Sequence, residues 1–136
     1  MYDISTLMYY FNTFKYLDFV LSYMQIKTVL DEPTLFMNIL GDSPKIRVLD
    51  LLLTGRKFEY TISDIAERAA ISRSTFYAMM DQLLKLEIII ATRKIGHTTL
   101  YQLNTGNSFV KELITFYDTL LKEETKKELG KYKANH

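Results

Sequence analysis

The sequence predicts a mainly helical α+β fold, in which two helices joined by a tight turn precede a β-hairpin and one further helix lies at each end of the chain. Three observations predict it. Apolar residues recur at helical spacing over most of the 136 residues. One β-branched run is followed by a glycine and a second short β-rich run. Proline and glycine mark the boundaries between these segments.

The composition is that of one ordinary globular domain. Hydrophobic residues make up 48% of the chain and charged residues 24%, which is near the average for folded domains. The chain is too short for two full domains. Its 17 basic residues face 16 acidic ones, which gives a net charge of +1. Any binding to nucleic acid must therefore come from a local basic patch.

The sequence lacks the residues that most metal and catalytic sites require. It has no cysteine and only two histidines, His97 and His136, which excludes disulfides, thiolate ligands and a metal site built from histidines. It has no glycine-rich phosphate loop, no cluster of histidine with carboxylates and no Ser–His pair. We therefore expect no enzymatic activity, no metal site and no cofactor.

The first segment, residues 1–32, is predicted to be an aromatic-rich helix. Some of its apolar residues follow the alternating spacing of three and four residues that is typical of a heptad seam. Further apolar residues lie on the other faces of the helix. A helix this apolar must be buried on more than one side, so we expect a partner subunit to cover it. The seam consists of Leu7, Tyr10, Phe14, Leu17, Leu21 and Met24.

Polar and charged residues interrupt this apolar stretch at short intervals, among them Lys15, Asp18 and Lys27. A membrane-spanning helix does not tolerate charges spaced in this way. The N-terminus also lacks the basic start and the small-residue cleavage site of a signal peptide. We therefore expect a cytoplasmic protein with no membrane partner.

Two helices are predicted after the first segment. The first is a short helix over residues 33–40. The second is an amphipathic helix over residues 44–54, with Pro44 at its first position behind Ser43 and Gly55 as its stop. Residues 59–61 are predicted to form a short strand.

Residues 61–86 carry a helix-turn-helix pattern. The first helix covers residues 61–69, and its small Ala66 lets two helices cross closely. Ala70 and Ile71 connect it to the second helix, which Ser72 caps and which runs to about Leu86. The second helix has an apolar stripe at helical spacing, formed by Phe76, Met79, Met80, Leu83 and Leu86.

The opposite face of the second helix is polar near its N-terminal end, where a recognition helix meets the edges of the bases. This face holds Arg73, Ser74, Tyr77, Ala78 and Asp81. Arg73 is the best candidate for a contact with a base or a phosphate. An exposed arginine here can instead pair with Asp81, and both interpretations stay open. Ser72 and the free backbone N–H groups suit a phosphate.

A β-hairpin follows, with strands predicted over residues 88–94 and 98–103 and a turn over residues 95–97. No acidic residue lies between Ile88 and Lys111. A hairpin directly after a helix-turn-helix is a wing, and polar side chains at its tip can reach phosphates or a minor groove. The tip carries Arg93, Lys94, His97, Thr98 and Thr99.

In the order of these elements and in the sequence TRKIGHTTLYQLN over residues 92–104, the chain resembles archaeal winged helix-turn-helix transcriptional regulators of the MarR/ArsR-like kind. The resemblance covers about residues 34–117. It implies a winged helix-turn-helix over residues 33–105 and a homodimer on operator DNA, with the second helix in the major groove. It implies groove or phosphate contacts by Ser72, Arg73, Ser74, Thr75 and Tyr77, and wing contacts by Arg93, Lys94 and His97.

The sequence departs from this pattern at the turn between the two helices. Ala70 stands where these regulators often have a glycine. We expect a slightly longer or differently wound turn to accommodate the alanine.

The last segment, residues 106–136, is predicted to contain a helix over residues 108–129, followed by a basic tail. Part of its apolar stripe is expected to pack on its own domain, and the rest on the N-terminal helix of a second subunit. The stripe consists of Phe109, Leu113, Phe116, Tyr117, Leu120 and Leu121.

These observations predict a homodimer that binds double-stranded DNA at specific sequences and regulates transcription. The alternative is a winged helix that serves as a protein–protein interaction module in a transcription or other assembly. A small-molecule effector is compatible with an aromatic dimer core, but no residue of the sequence supports one.

Overall fold

The computed structural model describes residues 33–134. The predicted N-terminal aromatic helix therefore lies outside the described residues. In chain order the described elements are α1 (Leu35–Leu40), α2 (Pro44–Thr54), α3 (Ile62–Arg68), α4 (Arg73–Lys85), β1 (Ile89–Ile95), β2 (Thr98–Leu103) and α5 (Ser108–Ala134). This is the predicted order of helices and hairpin, and α2 and β2 have the predicted bounds.

Side-chain caps start the three helices α2, α3 and α4. The Ser43 hydroxyl accepts a hydrogen bond from the Ile46 N–H (3.2 Å), with Pro44 next at the first helical position. Thr61 and Asp64 form a reciprocal capping box, with each side chain accepting from the other's backbone N–H. These caps satisfy N–H groups that have no partner within a helix. They explain why α2 and α3 begin where the sequence pattern predicts.

The turn between α3 and α4 corrects the expectation for Ala70. It is not lengthened, because Ala70 itself adopts the left-handed conformation, with a φ of 55°. The Ala70 N–H donates to the Glu67 carbonyl (3.1 Å) and the Ile71 N–H to the Ala66 carbonyl (2.9 Å). This is a Schellman ending, in which two extra hydrogen bonds outweigh the strain of a non-glycine residue at positive φ.

The C-terminal end of α4 repeats the same arrangement. Glu87 has a φ of 56°. Its N–H donates to the Leu84 carbonyl (3.0 Å), and the Ile88 N–H donates to the Leu83 carbonyl (2.9 Å). Both helices of the helix-turn-helix therefore end with a non-glycine residue in the left-handed region.

The hairpin joins β1 and β2 in antiparallel pairing through a two-residue loop, Gly96 and His97. Gly96 has a φ of 62° and stands at the first loop position, where type II′ turns place glycine. The predicted strand over residues 59–61 is reduced to one bridge, in which Tyr60 and Tyr101 exchange two N–H···O bonds of 2.8 Å.

The core lies between the helices and the inner face of the hairpin. Phe76 and Leu83 of α4, Leu52 of α2 and Leu103 of β2 belong to one buried cluster. The helix α5 adds Tyr117, which belongs to the predicted stripe, and Val110, which the prediction did not include. Leu113, Leu120 and Leu121 of the predicted stripe also pack against this core, whereas Phe109 is 70% exposed.

Polar contacts join the end of α2 to α5. The Thr54 and Tyr117 hydroxyls are hydrogen-bonded (2.5 Å), and Arg56 forms a two-point ion pair with Asp118 (2.6 and 3.2 Å). Leu35 at the start of α1 donates its N–H to the Glu124 carboxylate (3.1 Å). Among residues 33–134, no helix is long and apolar enough to cross a bilayer.

Candidate nucleic-acid interface

The N-terminal end of α4 is a cluster of three hydroxyl groups. The Ser72 hydroxyl accepts from the Thr75 N–H (3.1 Å), and it also lies 2.7 Å from the Thr75 hydroxyl and 3.1 Å from the Ser74 hydroxyl. Ser72 is therefore the N-cap, as the sequence predicts. The cap leaves other N–H groups of the first turn without an intrahelical partner, which suits an anion such as a phosphate.

Arg73, Ser74, Tyr77, Ala78 and Asp81 are all exposed, so the predicted polar face does point away from the core. Tyr77 is 55% exposed. Arg73 has neither a hydrogen bond nor an ion pair with the described residues, and the alternative pair with Asp81 is not formed. The guanidinium of Arg73 is thus available to a ligand.

The side of α4 opposite Arg73 is fixed in the core. Phe76 has no solvent-exposed area, and Met79 and Leu83 continue the buried stripe. Asn107, which precedes α5, donates its side-chain N–H to the Leu86 and Glu87 carbonyls (3.0 and 3.1 Å). This amide ties the end of α4 to the start of α5, a link that the sequence pattern did not reveal.

The turn before α4 is held by Arg47 of α2, a residue that sequence analysis also missed. Its guanidinium donates to the Asp42 carboxylate at two points (2.6 and 3.0 Å) and to the Ala70 carbonyl (3.3 Å). The hydrogen bond and the charge of Asp42 raise the pKa of Arg47 above its usual value. Nothing in the spacing of Asp42, Arg47 and Ala70 signals this contact, because it arises from the packing of α2 on the turn.

Three of the polar side chains predicted at the tip of the wing have no partner among the described residues. Lys94, His97 and Thr98 are exposed and form no side-chain hydrogen bond or ion pair with the described part of the chain. Arg93 differs, because its Nε donates to the Glu59 carboxylate (2.8 Å). The sequence did not predict that pair.

Acidic and histidine side chains do not gather at this interface. In residues 33–134, no group of three His, Asp or Glu residues could hold a metal ion. The candidate interface instead consists of a helix N-terminus and a hairpin, and both carry basic and hydroxyl side chains. Chemically it can donate hydrogen bonds to anionic oxygens and to base edges.

Comparisons with known proteins support the fold. No protein-family model and no curated protein matches the sequence. The structure is similar to that of NadR in complex with 4-hydroxyphenylacetate, with 15% identity and a TM-score of 0.51 over 87% of this chain and 82% of that one. It is also similar to the apo form of a doubly substituted Lactococcus lactis ZitR, with 21% identity and a TM-score of 0.50 over 81% of each chain. The chain has the winged-helix fold of these proteins.

Proposed function

We propose that the chain is a DNA-binding transcriptional regulator of the MarR/ArsR-like kind, which acts in the cytoplasm and has no catalytic activity. The observation that carries the proposal is Arg73, an exposed arginine at the N-terminal end of a helix whose other face is buried. Arginine is the side chain that most often reads guanine in the major groove. Its freedom from ion pairs among the described residues leaves it ready to do so.

The two parts of the interface have different tasks in this proposal. Arg73 and Tyr77 meet base edges, while Ser72, Ser74 and Thr75 lie at the helix start and suit a phosphate. The wing residues contact phosphates or the adjacent minor groove; they are Arg93, Lys94, His97 and Thr98. The acid-free stretch that contains the wing supports this assignment.

The regulator is proposed to act as a homodimer. Phe109 and Phe116 lie seven residues apart on α5 and are both exposed, so the helix keeps an apolar flank that a second subunit can cover. A symmetric dimer would present two α4 helices to successive major grooves, ~34 Å apart. Light scattering at micromolar concentration should return the mass of a dimer, and a monomer mass would overturn this part of the proposal.

Fluorescence anisotropy against random genomic duplexes, repeated across a salt series, tests DNA binding. We expect binding that weakens steeply with salt and saturates at one dimer per site. R73A is the matched variant, because truncating the Arg73 side chain breaks no hydrogen bond or ion pair within the described residues. A folded dimer that fails to bind at low salt would overturn the proposal and favour a protein partner instead.

A small-molecule effector is a separate proposal. NadR was solved with 4-hydroxyphenylacetate, and the aromatic content of this chain is compatible with an apolar ligand. Melting curves with a library of aromatic acids test it. A raised Tm would support an effector, and no shift with any member would count against one.

A further inference from the structure

A β-bulge in the wing decides which basic side chain faces the segment before α3. Ala91 pairs with Tyr101, but the next pair is Arg93 with Leu100, so Thr92 is the extra residue. An extra residue reverses the alternation of side chains beyond it. Arg93 therefore lies on the face of Leu100, and Lys94 lies on the face of Thr99 and Tyr101.

Glu59 lies on the same face as Arg93. The backbone bridge pairs its neighbour Tyr60 with Tyr101, and both tyrosines are buried. Adjacent residues of an extended segment point to opposite faces, so Glu59 is turned away from the core face. Its carboxylate there accepts a hydrogen bond of 2.8 Å from the Nε of Arg93.

The contact uses only one edge of the guanidinium. Glu59 accepts a hydrogen bond from the Nε–H of Arg93, and the two terminal nitrogens, Nη1 and Nη2, have no partner among the described residues. The Arg93 side chain is 63% exposed, whereas that of Glu59 is 29% exposed. The carboxylate thus lies on the protein side, and the guanidinium lies on the side of the solvent.

We propose that Glu59 is a positioning residue for a DNA phosphate. It holds Arg93 through Nε, so that the outer edge with Nη1 and Nη2 can donate two parallel hydrogen bonds to phosphate oxygens. The proposal rests on the DNA binding proposed above. A partly exposed ion pair adds little to stability, so its main consequence is the orientation of Arg93.

Two variants of Glu59 separate orientation from charge. E59Q and E59A both remove the negative charge, but only glutamine keeps an oxygen that can accept from Nε. We expect E59Q to bind duplex DNA at least as tightly as the wild type, because a charge that repels phosphate is gone. We expect E59A to bind about 3–10-fold more weakly than E59Q, the usual range for one hydrogen bond.

The effect must pass through Arg93. In an R93A background, E59Q and E59A should bind equally, and R93A alone should lower the slope of log K against log salt by about 0.9. Equal binding of E59Q and E59A with Arg93 present would overturn the proposal. Tighter binding by E59A than by E59Q would also overturn it, because Glu59 would then compete with DNA for Arg93.

A measurement without DNA tests the contact separately. The Nε–H of Arg93, observed by NMR in the free protein, should exchange slowly in the wild type and in E59Q and faster in E59A. Unchanged exchange in E59A would overturn the proposal even if DNA binds. Absence of saturable binding by the wild type would overturn the proposed function, and matching melting curves would exclude misfolding of the variants.

Discussion

The N-terminal end of α4 and the β1–β2 wing hold their arginines in different ways. Arg73 has no side-chain partner in the described structure, yet its backbone belongs to a helix seated on buried Phe76 and capped by Ser72. Arg93 lies on a two-stranded ribbon and is tied by its side chain to Glu59. The direction of Arg73 is set through its backbone, whereas that of Arg93 is also set by a contact between side chains.

The difference matches what each region is proposed to read. Bidentate recognition of a base requires a donor held within a fraction of an ångström, which a helix fixed at both ends can supply. Phosphate contacts position a protein on the duplex and carry no sequence information directly. A wing arginine held at Nε alone is sufficient for that task.

The largest effect on stability should come from removing a side chain that packs α4 into the core. F76A removes a side chain with no exposed area and should lower the free energy of unfolding by about 3–5 kcal/mol. Y77A, one residue away but 55% exposed, should change it by no more than about 0.5 kcal/mol. Chemical denaturation measures both. A small effect of F76A would mean that the core does not fix the helix.

The next effect distinguishes base reading from phosphate binding. R73A should weaken binding to the preferred site by about 1–3 kcal/mol and relax one base position. K94A should weaken all sequences alike and lower the salt slope by about 1. Anisotropy on a preferred and a scrambled duplex measures both. Variants that bind like the parent would contradict the division of tasks between helix and wing.

The next largest effect is expected from removing the N-cap of α4. S72A removes the acceptor of the Thr75 N–H and should lower the free energy of unfolding by about 1 kcal/mol. S74A is the matched control, because the Ser74 hydroxyl bonds only the Ser72 hydroxyl. It should have a smaller effect in the same denaturation experiment. Equal effects of the two variants would show that the cap does not hold the helix start.

The smallest effect on stability is expected at the turn between α3 and α4. A70G should raise the free energy of unfolding by about 0.5–1 kcal/mol, because glycine adopts a positive φ without strain. The same substitution inside the helix, A78G, should lower it by about 1 kcal/mol. In thermal melts, the two alanine-to-glycine substitutions should therefore change the stability in opposite directions. A destabilising A70G would mean that Ala70 is not strained.

Most of the local structure was predictable, because it depends on residues close together in the chain. Pro44 and Ser43 mark the start of α2, and Ser72 marks the start of α4, as predicted. Gly96 marks the hairpin turn. Caps and turns satisfy backbone groups within about four residues, so a pattern of residue types is enough to find them.

The residues of the candidate interface were predictable in part. The exposed face of α4 follows from the helical period once the apolar stripe is known. The partners of these residues were not predictable: Arg47 reaches Ala70 across 23 residues, and Arg93 reaches Glu59 across 34. On α5 the buried Val110 was missed, and only the structure shows which part of the predicted stripe packs on its own domain, since Tyr117 is buried and Phe109 is exposed.

The order of the described elements and the polarity of each helix face follow from the amino-acid sequence, because both depend on periodicity and on local hydrogen bonds. Which charged side chains are paired and which are available depends instead on the packing of the folded chain. A bulge at Thr92 and a bridge at Tyr60 bring Glu59 to Arg93. Such contacts depend on the register between segments far apart in the chain, which no local pattern of residues encodes.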